Sequence, residues 1–155
     1  KECKFQGTAD YRKLRSVVET VHIPIFANGD ITDLDSATLA AEKSGSDGLM
    51  IGRGAIGQPW IFSCMLGKEL PSIKERLIVM NEHLDAIHSF YGRERGTRVS
   101  RKHLMAYFTR LRAPVLGKEF VSLGTSQEQN AWLRNIDVEM VKSFSSSAQE
   151  TAIAA

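Results

Sequence analysis

The stretch from Ile23 to Phe62 constrains the fold more than any other part of the chain. It reads Ile-Pro-Ile-Phe-Ala-Asn-Gly-Asp-Ile, then a helical pattern, then Asp-Gly-Leu-Met-Ile-Gly-Arg-Gly-Ala-Ile-Gly-Gln-Pro-Trp-Ile-Phe. Two short apolar runs, Ile23 to Ala27 and Leu49 to Ile51, each stop at a polar, glycine-bearing turn. Runs without alternation predict strands covered on both faces. Between them Leu34, Ala37, Ala40 and Ala41 recur at helical spacing, Thr32 or Asp33 can cap that helix, and Gly45 can stop it. Strand, helix and strand at this spacing predict a βαβ unit and a parallel sheet. Two strands cannot bury both faces of such a sheet. The α/β part is therefore expected to be incomplete and to need a partner segment.

On the N-terminal side, Lys1 to Thr8 read as the end of a loop. Asp10 is a candidate cap for a helix from Tyr11 to about Thr20, with Tyr11, Leu14, Val17, Val18 and Val21 on one face. After Phe62 the strand signals stop. Ser72-Ile73-Lys74-Glu75 is a capping box. It opens a helix with Ile73, Leu77, Met80, Leu84, Ile87 and Tyr91 in one stripe. Gly92 and Gly96 bracket a basic turn. A further helix is expected from about Thr97 to Arg112, ending before Pro114, and a last one from Gln127 to Phe144. Ser145 onward reads as a frayed tail. Gly67 and Pro71 mark the junction, giving an α/β portion over residues 1–66 and a helical portion over residues 67–155 with a flexible tail from about 145. No internal repeat is visible.

The totals narrow the class. The chain has 155 residues, enough for one ordinary domain or two small ones. A net charge of +2 is too mild to point to nucleic acid unless the charge is clustered. No apolar run approaches the roughly 18–20 residues of a membrane span. Cys3 and Cys64 lie far apart and outside any C-x-x-C spacing, so two free thiols in a reducing, cytoplasmic setting are expected. His22, His83, His88 and His103 share no metal-ligand spacing, which predicts structural or surface roles. The first residue is Lys1 and no targeting pattern follows it. The chain is thus expected to be a piece of something longer or a processed product.

Two segments could carry chemistry. A strand end, glycines and a helix start at Gly52-Arg53-Gly54 would expose backbone N–H groups beside the positive end of a helix dipole. Arg53 adds a planar fork suited to two phosphate oxygens. A sharp turn with a surface arginine explains the same residues. Asn28-Gly29-Asp30 ends the preceding strand on the same rim. It either faces the same ligand or serves as a turn whose Asn and Asp satisfy local backbone groups. Further on, seven Lys/Arg and one acid, Glu94, lie between Arg93 and Arg112. On a helix, Arg98, Arg101, Lys102 and Arg112 fall within an arc of about 100°. His103 lies off that arc. Leu104, Phe108 and Leu111 form an adjacent apolar face. Such a helix can bury one side and offer the other to a polyanion, or simply be solvated on its basic face. The aromatics of Pro59-Trp60-Ile61-Phe62 read as packing for a helix.

Taken together, the long motif from Ile23 to Phe62, with Phe90-Tyr91-Gly92 and Arg101-Lys102-His103, closely resembles the tRNA-dihydrouridine synthases, nearest to the bacterial B-type branch. The likeness covers most of residues 1–112 and fades beyond Pro114. It implies the last quarter of a (β/α)8 TIM barrel followed by a helical tRNA-binding domain. It implies FMN as cofactor, with Asn28, Gly29 and Asp30 lining its site and Gly52 and Arg53 holding its phosphate. It also implies that Arg98, Arg101, Lys102 and His103 meet the tRNA backbone. The family reduces a uridine in tRNA to dihydrouridine with hydride from FMN, which NADPH recharges. Its general-acid cysteine belongs to the first half of the barrel. Neither Cys3 nor Cys64 has a matching context, so no catalytic residue is assigned. The expected outcome is a monomer that is inactive alone, unless an N-terminal barrel fragment joins it. A non-catalytic RNA-binding or adaptor fragment is the alternative reading.

Overall fold

A computed structural model describes residues 8–153. The opening loop and Cys3 lie outside the described residues; Cys64 is a half-buried thiol in no disulfide. The chain forms two compact units, Lys1–Glu69 and Leu70–Ala155.

The first unit holds α1 (Tyr11–Val18), β1 (Phe26–Asn28), α2 (Leu34–Ser44), β2 (Gly48–Met50), a single 3-10 turn (Arg53–Ala55) and α3 (Ile61–Met65). Local chemistry sets these bounds. The Asp10 carboxylate accepts from the Arg12 N–H and starts α1. Asp33, rather than Thr32, caps α2, and Ser36 reciprocates to complete a capping box. Gly45, left-handed at φ 63°, closes that helix. The strands pair in parallel, with Phe26 opposite Gly48, Ala27 opposite Leu49 and Asn28 opposite Met50. Tyr11, Ala27, Ile31, Ala37 and Ala40 form the core of this unit. Expectation and structure differ for β1. Its apolar run predicts cover on both faces, yet Phe26 is 62% exposed, as are large parts of Ile23 and Met50.

The second unit is all helix: α4 (Ile73–Tyr91), α5 (Arg93–Arg110), α6 (Pro114–Ser122), α7 (Ser126–Arg134) and α8 (Val138–Ile153). The Ser72–Glu75 capping box forms as its spacing requires. The two hydrogen bonds from Ser72 hold the Glu75 carboxyl below the usual carboxylate range. Tyr107, Phe108, Phe120, Met80 and Leu104 are fully buried. Trp132 packs edge-on to Phe108 and Phe120, with ring centroids 5.7 and 5.8 Å apart.

Three sequence expectations fail in this unit. Gly96 does not mark a turn. It lies buried inside α5, where a Cβ would come within 3.0 Å of His88 Cδ2, so the glycine lets α4 and α5 approach closely. Pro114 follows the end of α5, as its place in the sequence predicts. It occupies the first turn of α6, where its missing N–H carries no penalty. The helix expected from Gln127 to Phe144 is two helices. α7 stops at Asn135, and Asp137 restarts the chain by accepting from the Met140 N–H at 2.8 Å. Last, the backbone stays helical through Ile153, where the small polar residues predict a frayed tail.

Candidate functional site

Because β1 and β2 are parallel and in level register, their carboxyl ends reach the same edge, and the turns that follow stand side by side. The first is Gly29-Asp30. Gly29 has φ 123°, and a Cβ on it would lie 2.8 Å from Ala9 Cβ, so both dihedral and space call for glycine. Asp30 is left-handed at φ 48°, a conformation aspartate tolerates better than most residues. Its carboxylate accepts the Ala9 N–H at 2.7 Å. The Tyr11 hydroxyl donates to the Gly29 carbonyl. Burial, helped by the charge of Asp30, raises the Tyr11 pKa and keeps that donor protonated.

The second turn is Gly52-Arg53-Gly54. Arg53 Nη2 lies 3.9 Å from Asp30 Oδ1, so the two turns are linked by charge. Both groups are partly exposed, which keeps this pair weak in energy and useful chiefly for aim. Gly54 is buried, and a Cβ there would sit 2.0 Å from the Ile31 carbonyl oxygen. The space a Cβ would enter at Gly52 is open to 4 Å. Gln58 is a contributor that sequence reasoning missed. Its amide donates to the Thr32 carbonyl at 2.8 Å and to the Gly54 carbonyl at 2.7 Å, tying the second turn to the segment just past the first. No periodicity marks it; its position between Gly57 and Pro59 in a turn was the available signal.

Asn28 belongs to the same edge, with Nδ2 3.6 Å from Met50 Sδ on the neighbouring strand. Asn28, Gly29, Asp30, Gly52 and Arg53 are therefore brought together. The helix-dipole expectation needs correction. Gly52 leads into one 3-10 turn of three residues, and α3 begins only at Ile61. The capacity for an anion rests on the mostly exposed Arg53 guanidinium and the open backbone at Gly52.

In the helical unit the basic residues of α5 divide. Arg98 and Lys102, one turn apart, are exposed. Arg101 is half-buried, and its Nη2 donates to the Leu123 carbonyl at the end of α6 at 3.0 Å. Its Nε is buried with no hydrogen-bond partner among the described residues. Arg112 lies past the helix end, left-handed at φ 58°. The expected arc of four cations is thus reduced to Arg98 and Lys102. His103 packs on His83 with ring centroids 5.1 Å apart, and His83 Nδ1 lies 3.1 Å from the Tyr107 hydroxyl. Burial lowers the pKa of both histidines, and for His103 the neighbouring His83 and Lys102 add to it. Burial pushes Tyr107 up to about 12. Among the described residues no group of three or more His, Cys, Asp or Glu could hold a metal ion, and no helix is long and apolar enough to cross a membrane.

Comparison with known proteins gives this geometry its context. A family model described as dihydrouridine synthase (Dus) matches residues 1–145. The tRNA-dihydrouridine synthase B of Pasteurella multocida is 36% identical over 137 residues, which is 83% of this chain and 41% of that protein. A probable tRNA-dihydrouridine synthase of Rickettsia conorii is 46% identical over 113 residues, 68% of this chain and 34% of that protein. The tRNA-dihydrouridine synthase B of Proteus vulgaris is 45% identical over 114 residues, 69% of this chain and 35% of that protein. The chain spans 34% to 41% of the length of these relatives. By the extent of the family match and the level of identity, the chain belongs to the dihydrouridine synthase family.

Proposed function

We propose that this chain is the C-terminal portion of a flavin-dependent tRNA-dihydrouridine synthase, with residues 1–66 forming the last quarter of a (β/α)8 barrel and residues 67–155 a tRNA-binding helical domain. The observation that carries the reading is the pair of level strand ends whose turns, Asn28 to Asp30 and Gly52 to Gly54, are linked by the Arg53–Asp30 pair, with Gln58 tying Gly54 to Thr32 just past the first turn. Barrel enzymes place phosphate sites after their last strands. The residues fit the phosphate end of FMN: an aimed guanidinium beside open backbone. In this reading Gly52 and Arg53 hold that phosphate, and Asn28, Gly29 and Asp30 line the site. When bound, the flavin supplies the hydride for reducing uridine, with NADPH as the reductant of the whole enzyme.

The chain alone is then inactive and binds FMN weakly or not at all, because the strands that would enclose the rest of the cofactor are not among its own. The exposed Phe26, Ile23 and Met50 support the same view, since a covered sheet would bury them. Flavin absorbance of the purified chain, alone and co-expressed with an N-terminal barrel fragment of a relative, tests it. Bound flavin and dihydrouridine formation should arise only in the pair. Arg53→Ala in the pair should weaken FMN binding by about 1.5–3 kcal/mol, the range for a hydrogen bond to a charged group. Tight flavin binding by the chain alone would overturn the reading. A non-catalytic RNA-binding role is favoured instead if tRNA is retained in a gel shift and complementation fails. The well-filled core of the helical unit supports that second reading.

A further inference from the structure

The corner where α4 meets α5 is unlike the rest of the surface. Phe90 is 83% exposed, a large apolar ring left in water at the end of a helix. Tyr91 stands edge-on to it, with centroids 4.9 Å apart and planes at 83°. The Arg95 guanidinium lies over the Tyr91 ring, 5.1 Å from its centroid. Gly92, at φ 73°, turns the chain so that the last residues of α4 and the first of α5 share this corner. Arg93, Arg95 and Arg98 are exposed in the first turns of α5, against one acid, Glu94, in the same stretch.

We infer that Phe90, Tyr91 and Arg95 form a stacking platform for an unpaired nucleotide of a folded RNA, with Arg93 and Arg98 meeting the flanking phosphates. An open ring offers a π face to a base, and a guanidinium plane can extend that stack. Bases inside a duplex have no free face, so the platform selects an unpaired base in a loop, bulge or overhang. The positive charge of Arg93, Arg95 and Arg98, against the single acid Glu94, is complementary to a polyanion backbone, which favours RNA as the occupant. The inference rests on the RNA-binding reading above and moves the specific part of the contact from the middle of α5 to its N-terminal corner.

Fluorescence anisotropy of the full chain with an unmodified tRNA transcript, and in parallel with a blunt RNA duplex, tests it. Phe90→Ala, at an exposed position, should keep the helical circular dichroism of the parent. It should weaken transcript binding by about tenfold while leaving duplex binding unchanged, and Phe90→Trp should restore the transcript affinity. Arg98→Gln should weaken both RNAs to a similar degree. Equal transcript binding by Phe90→Ala and the parent, with Arg98→Gln still weakened, would overturn the platform and leave the RNA-binding reading standing. Equal losses on both RNAs would also overturn it, as would a change in self-association by sedimentation with RNA binding intact. Failure of the parent to bind either RNA would overturn both.

Discussion

In the first unit the core is Tyr11, Ala27, Ile31, Ala37 and Ala40, three of them alanines. In the second it includes Tyr107, Phe108, Phe120, Met80, Leu84 and Leu104. The exposed side runs the other way. Ile23, Phe26, Leu34, Met50 and Leu66 are each more than half exposed in the first unit. Among the described residues the second has fewer, Leu70 and Phe90. Burial of apolar area is the main term holding a domain together, at about 25 cal/mol per Å². The unit with the paired turns therefore has the weaker means to hold them, and the helical unit can stand on its own packing.

The two tryptophans let this contrast be tested, since Trp60 lies in the first unit and Trp132 in the second. In single-tryptophan variants, the Trp132 signal should show a cooperative urea transition at higher denaturant than the Trp60 signal. The largest mutational effect should come from Phe120→Ala, which removes a fully buried ring that touches Trp132. A loss of about 3–5 kcal/mol is expected in the Trp132 transition, with the Trp60 transition unmoved. Equal shifts in both would mean that the units unfold as one.

A smaller effect should follow from Gln129→Ala. The Gln129 side chain is fully buried, and its Oε1 accepts from the Ser100 hydroxyl at 2.8 Å and lies 2.9 Å from His88 Nε2. Its Nε2 donates to the Thr97 carbonyl at 3.1 Å. Leaving such partners buried and unmatched should lower stability by about 1–3 kcal/mol, read from the same transition. Ser72→Ala removes the cap of α4 and should cost about 1 kcal/mol.

The gentlest test is pH. His83 and His103 are held below the ordinary value of 6.5, so the folded bundle takes up protons less readily than the unfolded chain. The stability linked to them is present above pH 6.5 and lost as pH falls through the lowered values. Thermal unfolding followed at Trp132 from neutral to mildly acidic pH should show that decline, and His83→Gln should flatten it. A profile that stays as steep in His83→Gln would assign the decline to other groups.

What could be read directly from the residues was mostly local. Ser72 with Glu75, Asp10 and Gly45 each act through backbone groups within a few positions, and each stands where its chemistry requires. The strand-helix-strand order followed from spacing in the same way. What escaped depended on distant neighbours. Whether Gly96 bends a helix or lies inside one is decided by His88 on the facing helix. Whether Arg101 points to solvent is decided by the carbonyl of Leu123, and helical phase alone does not contain that information. At the candidate site the shared edge of the five residues was legible because strand ends and turns are marked in sequence. Gln58 was not, because its two carbonyl partners belong to turns 26 and 4 residues away.

The Gln129 network has a consequence of another kind. It joins α4 through His88, α5 through Ser100 and Thr97, and α7 through Gln129 itself. Helices that pack ridge into groove can often slide by one turn and find contacts almost as good. A slide of α7 by one turn, about 5.4 Å, would carry the carboxamide away from all three partners together and leave it buried without them. A leucine at that position would fill similar space and tolerate the slide. The buried amide thus works as an address, selecting one alignment of α7 among near-equivalent ones.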